Sequence, residues 1–259
     1  MNFSSLIVEK RGGAATITLN RPEALNAQTP QSLAELKEAF ADAGRDDSIG
    51  VVILRGAGRA FCAGMDLKTT FGQDGLADFQ AGRGVRFGVV CETMEAIGKP
   101  IIAAVQGHAV TGGFLLAYTA DILIAADNAQ FMDSHARWGL IPGAGESQRL
   151  PRRVGLAKAK ELLFTCEPIG ALEAQRLGLV NRVVPLEKLD EEARALADKI
   201  LANSRNTIAI LKALVNDGAR ASFDTGMNLE RIAVKGGMAN MEPNPDRDTR
   251  LQAFKEKKR

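Results

Sequence analysis

Cysteine is scarce in this 259-residue chain. Cys62, Cys91 and Cys166 stand far apart, with no CxxC and no Cys/His cluster, so neither a zinc site nor a disulfide framework is indicated. That usage fits a reducing compartment. No apolar run approaches the ~18 residues of a membrane span. The start, MNFSSLIVEKRGG, lacks a basic stretch followed by a long apolar one and does not read as a signal peptide. A net charge of +2 gives no electrostatic case for nucleic acid or membrane as a partner. The basic end, KEKKR, reads as a solvated helix terminus. The expected location is cytoplasmic.

Several catalytic signatures are also missing. There is no GxxxxGK[ST], and no GxGxxG after a strand with an acid at the right distance, which argues against nucleotide hydrolysis and nicotinamide chemistry. Without a GxSxG elbow, a Ser-His-Asp hydrolase has little support.

What is present is an ordinary globular composition, 46% apolar and 25% charged. Short apolar runs read as strands at Leu6 to Glu9, Ala14 to Leu19, Val51 to Leu54, Ile101 to Val105, Asp121 to Ala125 and Leu179 to Val184. Thr29 before Pro30 starts a helix that runs to Gly44, with apolar spacing at Leu33, Leu36, Ala39 and Phe40. Val85 to Ile97 has helical spacing, and Gly112 opens another helix. Residues 69 to 83 are polar and Gly-rich, which suggests a mobile flap. From Leu189 onward the pattern is helical and no strand is expected after Val184. The expected class is α/β, with residues 1–200 as the core and residues 201–259 as a C-terminal helical region.

Two glycine turns stand beside buried strands: Ala63-Gly64-Met65 and Thr111-Gly112-Gly113. Glycine lets a ligand approach the backbone closely. The first amides of a helix lack internal partners and carry the positive end of its dipole. Such turns can bind an anion or a developing oxyanion, or they can simply permit tight packing.

The order and spacing of longer segments resemble the crotonase (enoyl-CoA hydratase/isomerase) superfamily along nearly the whole chain. The matching pieces are LNRPEALNA (19–27), FCAGMDLK (61–68), KPIIAAVQGHAVTGGFLLA (99–117), ADILIAADNAQF (120–131) and GLIPGAGESQRLPRRVG (139–155). Further matches are Ala171 to Ala174 with Gly178 to Val180, and the ending AFKEK.

The resemblance implies a spiral of ββα repeats with a helical C-terminal trimerisation region. It implies a homotrimer, or a dimer of trimers, and an acyl-CoA thioester ligand. No cofactor would be permanently bound; coenzyme A would arrive as part of the substrate. No metal is expected. The thioester oxygen would sit between the backbone N–H groups of Met65 and Gly112. Ala27, Ala63, Asp66 and Leu67 fall where the family lines the CoA pocket. Lys257 of another subunit would approach the nucleotide end.

The chain departs from the family at its proton-transfer positions. Hydratases of this family use two glutamates. Here Leu115 stands at the first position and His135 at the second. Leucine transfers no proton, so hydration by two glutamates is not expected. Histidine can transfer one near neutral pH. Asp133, Glu146 and Trp138 lie close to His135 in sequence. Glu146 opens a helix after Gly143-Ala144-Gly145, where the dipole favours an acid; if it faces inward it can orient or charge-pair the histidine. Leu115 and Trp138 are expected among the substrate-binding residues, Trp138 packing rather than reacting, and His108 is expected to be structural.

Three readings follow. An acyl-CoA-transforming enzyme would use the two amides and His135, with isomerisation favoured because it needs one proton shuttle; a histidine-dependent hydrolytic or C–C-cleaving branch belongs to the same reading. A binding protein with little turnover is motivated by Leu115. The third is a protein of the same fold acting on a non-CoA carbonyl compound.

Overall fold

The computed structural model describes residues 3–72, 77, 81, 84–239 and 245–256. By its internal contacts the chain divides into two compact units, Met1–Ile200 and Leu201–Arg259.

The first unit is built on a six-stranded sheet of order β1-β2-β3-β4-β6-β9. β1 (Leu6–Arg11) and β2 (Ala14–Leu19) form an antiparallel hairpin around Gly12 and Gly13, both at positive φ. Glycine tolerates that conformation without a Cβ clash. The remaining neighbours pair in parallel: β3 (Val51–Gly56), β4 (Ile101–Val105), β6 (Ile122–Ala126) and β9 (Arg182–Val184). β4 is buried along its full length. That is why it reads as a continuous apolar run rather than an alternating one.

A second sheet of three short strands has the order β5-β7-β8. These are β5 (His108–Val110), β7 (Gln130–Met132) and β8 (Ile169–Gly170). Each follows a main-sheet strand or a helix, so successive turns of chain place one strand in each sheet and a helix beside them. This produces the crotonase spiral.

α1 (Pro30–Arg45) starts as the sequence indicates. The Thr29 side chain accepts from Ser32 N–H and the Ser32 side chain accepts from Thr29 N–H, with Pro30 at the first helical position. Its Leu33, Leu36, Ala39 and Phe40 are buried. The other helices of this unit are α2 (Leu67–Phe71), α3 (Phe87–Ala96), α4 (Gly112–Thr119), α5 (Glu146–Val154), α6 (Leu156–Thr165), α7 (Ala171–Arg176) and α8 (Leu189–Leu201). α4 is buried at every residue. A helix apolar on all sides belongs in the middle of a core. Phe114 meets Tyr118 edge-on at 4.9 Å and Phe131 of β7 at 5.6 Å.

The second unit holds α9 (Arg205–Gly218), α10 (Phe223–Ala239) and α11 (Pro245–Glu256).

The structure corrects the sequence reading in several places. β6 begins at Ile122 and β9 at Arg182. β5, β7 and β8 were not expected as strands; two or three residues are too few to show a period. Most of 69–83 lies outside the described residues, but residues 69–71 belong to α2, capped by the Asp66 side chain accepting from Thr69 N–H at 3.1 Å. Among the described residues no helix is long and apolar enough to cross a membrane.

Candidate active site

The two glycine turns meet. Residues 25–28 and 63–66 run side by side through Ala63 N–H to Leu25 O at 2.9 Å, Gln28 N–H to Gly64 O at 2.7 Å and Asp66 N–H to Gln28 O at 2.9 Å. Successive amides of an extended chain point to opposite sides. Bonding at Asp66 therefore leaves Met65 N–H turned away from this ladder, and it has no backbone acceptor among the described residues. Gly112 N–H, at the first helical position of α4, has none either. A Cβ on Gly64 (φ +92°) would sit 2.8 Å from Val110 O and 3.5 Å from Gly112 N. Glycine at that point lets the two segments close on each other.

Thr111 sets the direction of the second amide. It has φ 51° and ψ −107°, a strained conformation for a β-branched residue. Four bonds hold it. Its N–H donates to Met132 O at 2.7 Å, and its carbonyl accepts from Leu115 N–H at 2.8 Å. Its hydroxyl meets Ser134 Oγ at 2.6 Å and accepts from Ser134 N–H at 3.1 Å. Thr111→Val keeps the shape but strands the Ser134 amide. It is expected to lower stability by about 1–3 kcal/mol, read as an earlier denaturant midpoint.

Ser134 stands between two residues that interact with each other. Asp133 Oδ1 accepts from His135 N–H at 3.0 Å, and both Asp133 oxygens lie 3.0 Å from His135 Nδ1. On the other side of the ring, Glu146 Oε1 lies 4.0 Å from Nε2. Asp133 and Glu146 are buried, at 3% and 4% side-chain exposure, and His135 keeps 15%. Burial disfavours the charged imidazole. The hydrogen bond to Asp133 and the charges of Asp133 and Glu146 outweigh it and hold the His135 pKa above its ordinary value.

Ala27, Ala63, Met65, Asp66 and Leu67 form one half-buried stretch of surface. Arg21 ties it together, with Nη2 on Asp66 Oδ2 at 3.0 Å and Nη1 donating to Ala27 O. Leu115 is fully buried within the core rather than opening onto this surface. Trp138 is not packed as expected: it is 59% exposed, at the end of the short turn Ala136–Trp138 that follows His135. His108 is exposed and lines a cavity of about 330 Å³ with Leu25, Arg59, Asn128 and Gln130. Lys257 lies outside the described residues. Burial pushes the Cys62 thiol up to about 12, so it is no nucleophile despite its position beside the turn. No cluster of metal-ligating side chains occurs among the described residues.

Sequence reasoning did not pick out the two-point hold of Asp133 on His135, or Arg21. The D-x-H spacing was a visible signal for the first; nothing local marked the second.

A spiral of this kind, with paired glycine turns beside α4, defines a crotonase-fold protein. A model of the enoyl-CoA hydratase/isomerase family matches residues 9–259, and the chain belongs to that family of enzymes. It is 37% identical over 264 residues to the short-chain-enoyl-CoA hydratase of Clostridium acetobutylicum, covering 100% of this chain and 97% of the relative. The solved enoyl-CoA hydratase of Bacillus anthracis superposes with a TM-score of 0.90 at 36% identity, over 98% of this chain and 97% of that one. A monofunctional enoyl CoA isomerase from M. smegmatis superposes at 0.74 with 33% identity, over 86% and 98%.

Proposed function

We propose that the protein transforms acyl-CoA thioesters by way of an enolate. The observation that carries this reading is the pair of unpartnered amides, Met65 and Gly112, brought together at Gly64. Fixed donors aimed at a developing oxyanion contribute about 3–4 kcal/mol each to catalysis, because they need no reorganisation as charge appears. The half-buried stretch at Ala27, Ala63, Asp66 and Leu67 supports a binding surface for the CoA portion.

His135 transfers the proton at the α carbon. One such shuttle is sufficient to move a double bond, since the proton removed from one carbon is returned to another. Similar proteins include both hydratases and an isomerase, which supports the shared enolate step rather than one product. An acyl-CoA binding protein with little turnover is the second reading, favoured by Leu115, which is buried and cannot carry a proton. Self-association would use the helical unit, where Ile210, Val215, Phe223, Ile232 and Phe254 are exposed on the single chain.

Calorimetry with CoA, acetyl-CoA and 2- and 3-enoyl-CoAs, followed by chromatography of the reaction products, tests the proposal. Binding with conversion of an enoyl-CoA is the expected result. Tight binding without any product favours the binding protein, and no CoA affinity rejects both.

A further inference from the structure

The sequence leaves one proton-transfer group, His135, at the two positions where the family has acids. The structure brings a second group to it. Glu146 starts α5 and is also turned inward, where its carboxylate is buried. One oxygen, Oε2, is occupied by Ala144 N–H at 3.0 Å. The other, Oε1, faces His135 Nε2 across 4.0 Å. That gap is too long for a direct hydrogen bond and has the width that one water, at about 2.8 Å from each atom, would span.

Asp133 decides which ring nitrogen is available. With both carboxylate oxygens 3.0 Å from Nδ1, the proton on that side of the ring stays on Nδ1. Nε2 is then the atom that exchanges protons with the gap. The group is anchored to the amide turn, because Ser134 is hydrogen-bonded to Thr111, the residue before Gly112. Other titratable groups around Glu146 do not compete for the proton. Burial raises the Cys91 thiol on α3 to about 12 and the Tyr118 hydroxyl on α4 well above its ordinary value. Arg149 is held by Glu95 and Ala144 O.

We propose that His135 and Glu146, with Asp133 as the positioning residue, form a proton-transfer pair spanning one water, and that this pair stands in for the two glutamates with which hydratases of the family add water to an α,β-unsaturated thioester. The proposal rests on the acyl-CoA reading above. Glu146 Oε1 takes a proton from the water as its oxygen bonds to the β carbon. The π electrons move through the α carbon onto the thioester oxygen, held by the Met65 and Gly112 N–H groups. The protonated His135 gives its Nε2 proton to the α carbon. Glu146 then returns its proton to Nε2 through the next water. One water is consumed and nothing is oxidised or reduced.

The chain has two histidines, so ¹⁵N imidazole spectra in a His108→Gln background report His135 alone. The expected ring carries its proton on Nδ1 when neutral. Asp133→Asn should give a tautomer mixture, and Glu146→Gln should lower the His135 pKa. In H₂¹⁸O, a short trans-2-enoyl-CoA should yield a 3-hydroxyacyl-CoA carrying one labelled oxygen. Glu146→Gln should lower kcat for this reaction by about 100-fold with KM changed far less, and Glu146→Asp should restore part of the rate. A neutral ring protonated on Nε2, or full-rate hydration by Glu146→Gln, overturns the proposal and leaves the acyl-CoA reading intact. So does conversion to a shifted double bond with no label. If the wild type turns over no enoyl-CoA, both readings fall.

Discussion

His135→Ala is expected to lower kcat for acyl-CoA conversion by about 10²–10⁴-fold, the range for losing a positioned acid/base group. Acyl-CoA affinity should change little, because the proposed function assigns the carbonyl to the Met65 and Gly112 amides and the CoA portion to the surface around Ala27 and Asp66, none of which His135 supplies. The substitution leaves the two proposed oxyanion donors in place, so residual activity above background should remain. Equal rates for the two proteins would remove His135 from the mechanism. The same residue links stability to pH. Its folded pKa lies above the ordinary 6.5 because Asp133 and Glu146 outweigh burial. Its contribution is fully present below pH ~6.5 and is lost as pH rises through the folded value. The urea midpoint of the wild type should therefore fall relative to His135→Gln as pH increases over that window. An unchanged difference between the two would contradict it.

Gly113→Ala is expected to be the more damaging change to the fold. An added Cβ would lie 2.1 Å from Cys62 O and 2.7 Å from Cys62 Cβ. Neither can yield easily. Cys62 is buried, its N–H donates to His108 O at 3.0 Å, and its carbonyl accepts from Val110 N–H at 2.9 Å. The backbone of the turn would have to part from β5, moving the Met65 and Gly112 amides away from each other. Overpacking of this kind costs about 1–3 kcal/mol, and more where backbone must shift. The expected result is an earlier thermal midpoint together with loss of turnover. Gly112→Ala clashes instead with the Phe87 ring, whose nearest atom is 2.4 Å from the added Cβ. A Gly113→Ala protein with native stability and rate would show that the turn is looser than this packing implies.

Different parts of this architecture were legible for different reasons. α1 was readable to within a residue because Thr29, Pro30 and the period of Leu33, Leu36, Ala39 and Phe40 are local signals. β4 was readable because burial on both faces makes five consecutive residues apolar. β5 and β7 were not, since their strand character comes from pairing His108 with Gln130 and Val110 with Met132, across twenty-two residues of chain. Trp138 was misplaced for a related reason: an aromatic residue carries no local mark of whether its side will be covered.

The sequence by itself determined the family, the α/β class and the positions of the two glycine turns, because the order and spacing of whole segments resemble the family and the apolar runs and glycines are written along the chain. It also showed that Leu115 and His135 stand where acids were expected. Only the tertiary structure decided what His135 has around it. Asp133 reaches the ring through a two-residue step, but Glu146 arrives from the start of another helix, and its inward turn depends on how α5 packs against α3 and α4. A helix-opening acid on the surface and a buried partner of a histidine have the same local sequence. The difference lies in the direction of one carboxylate, which packing sets.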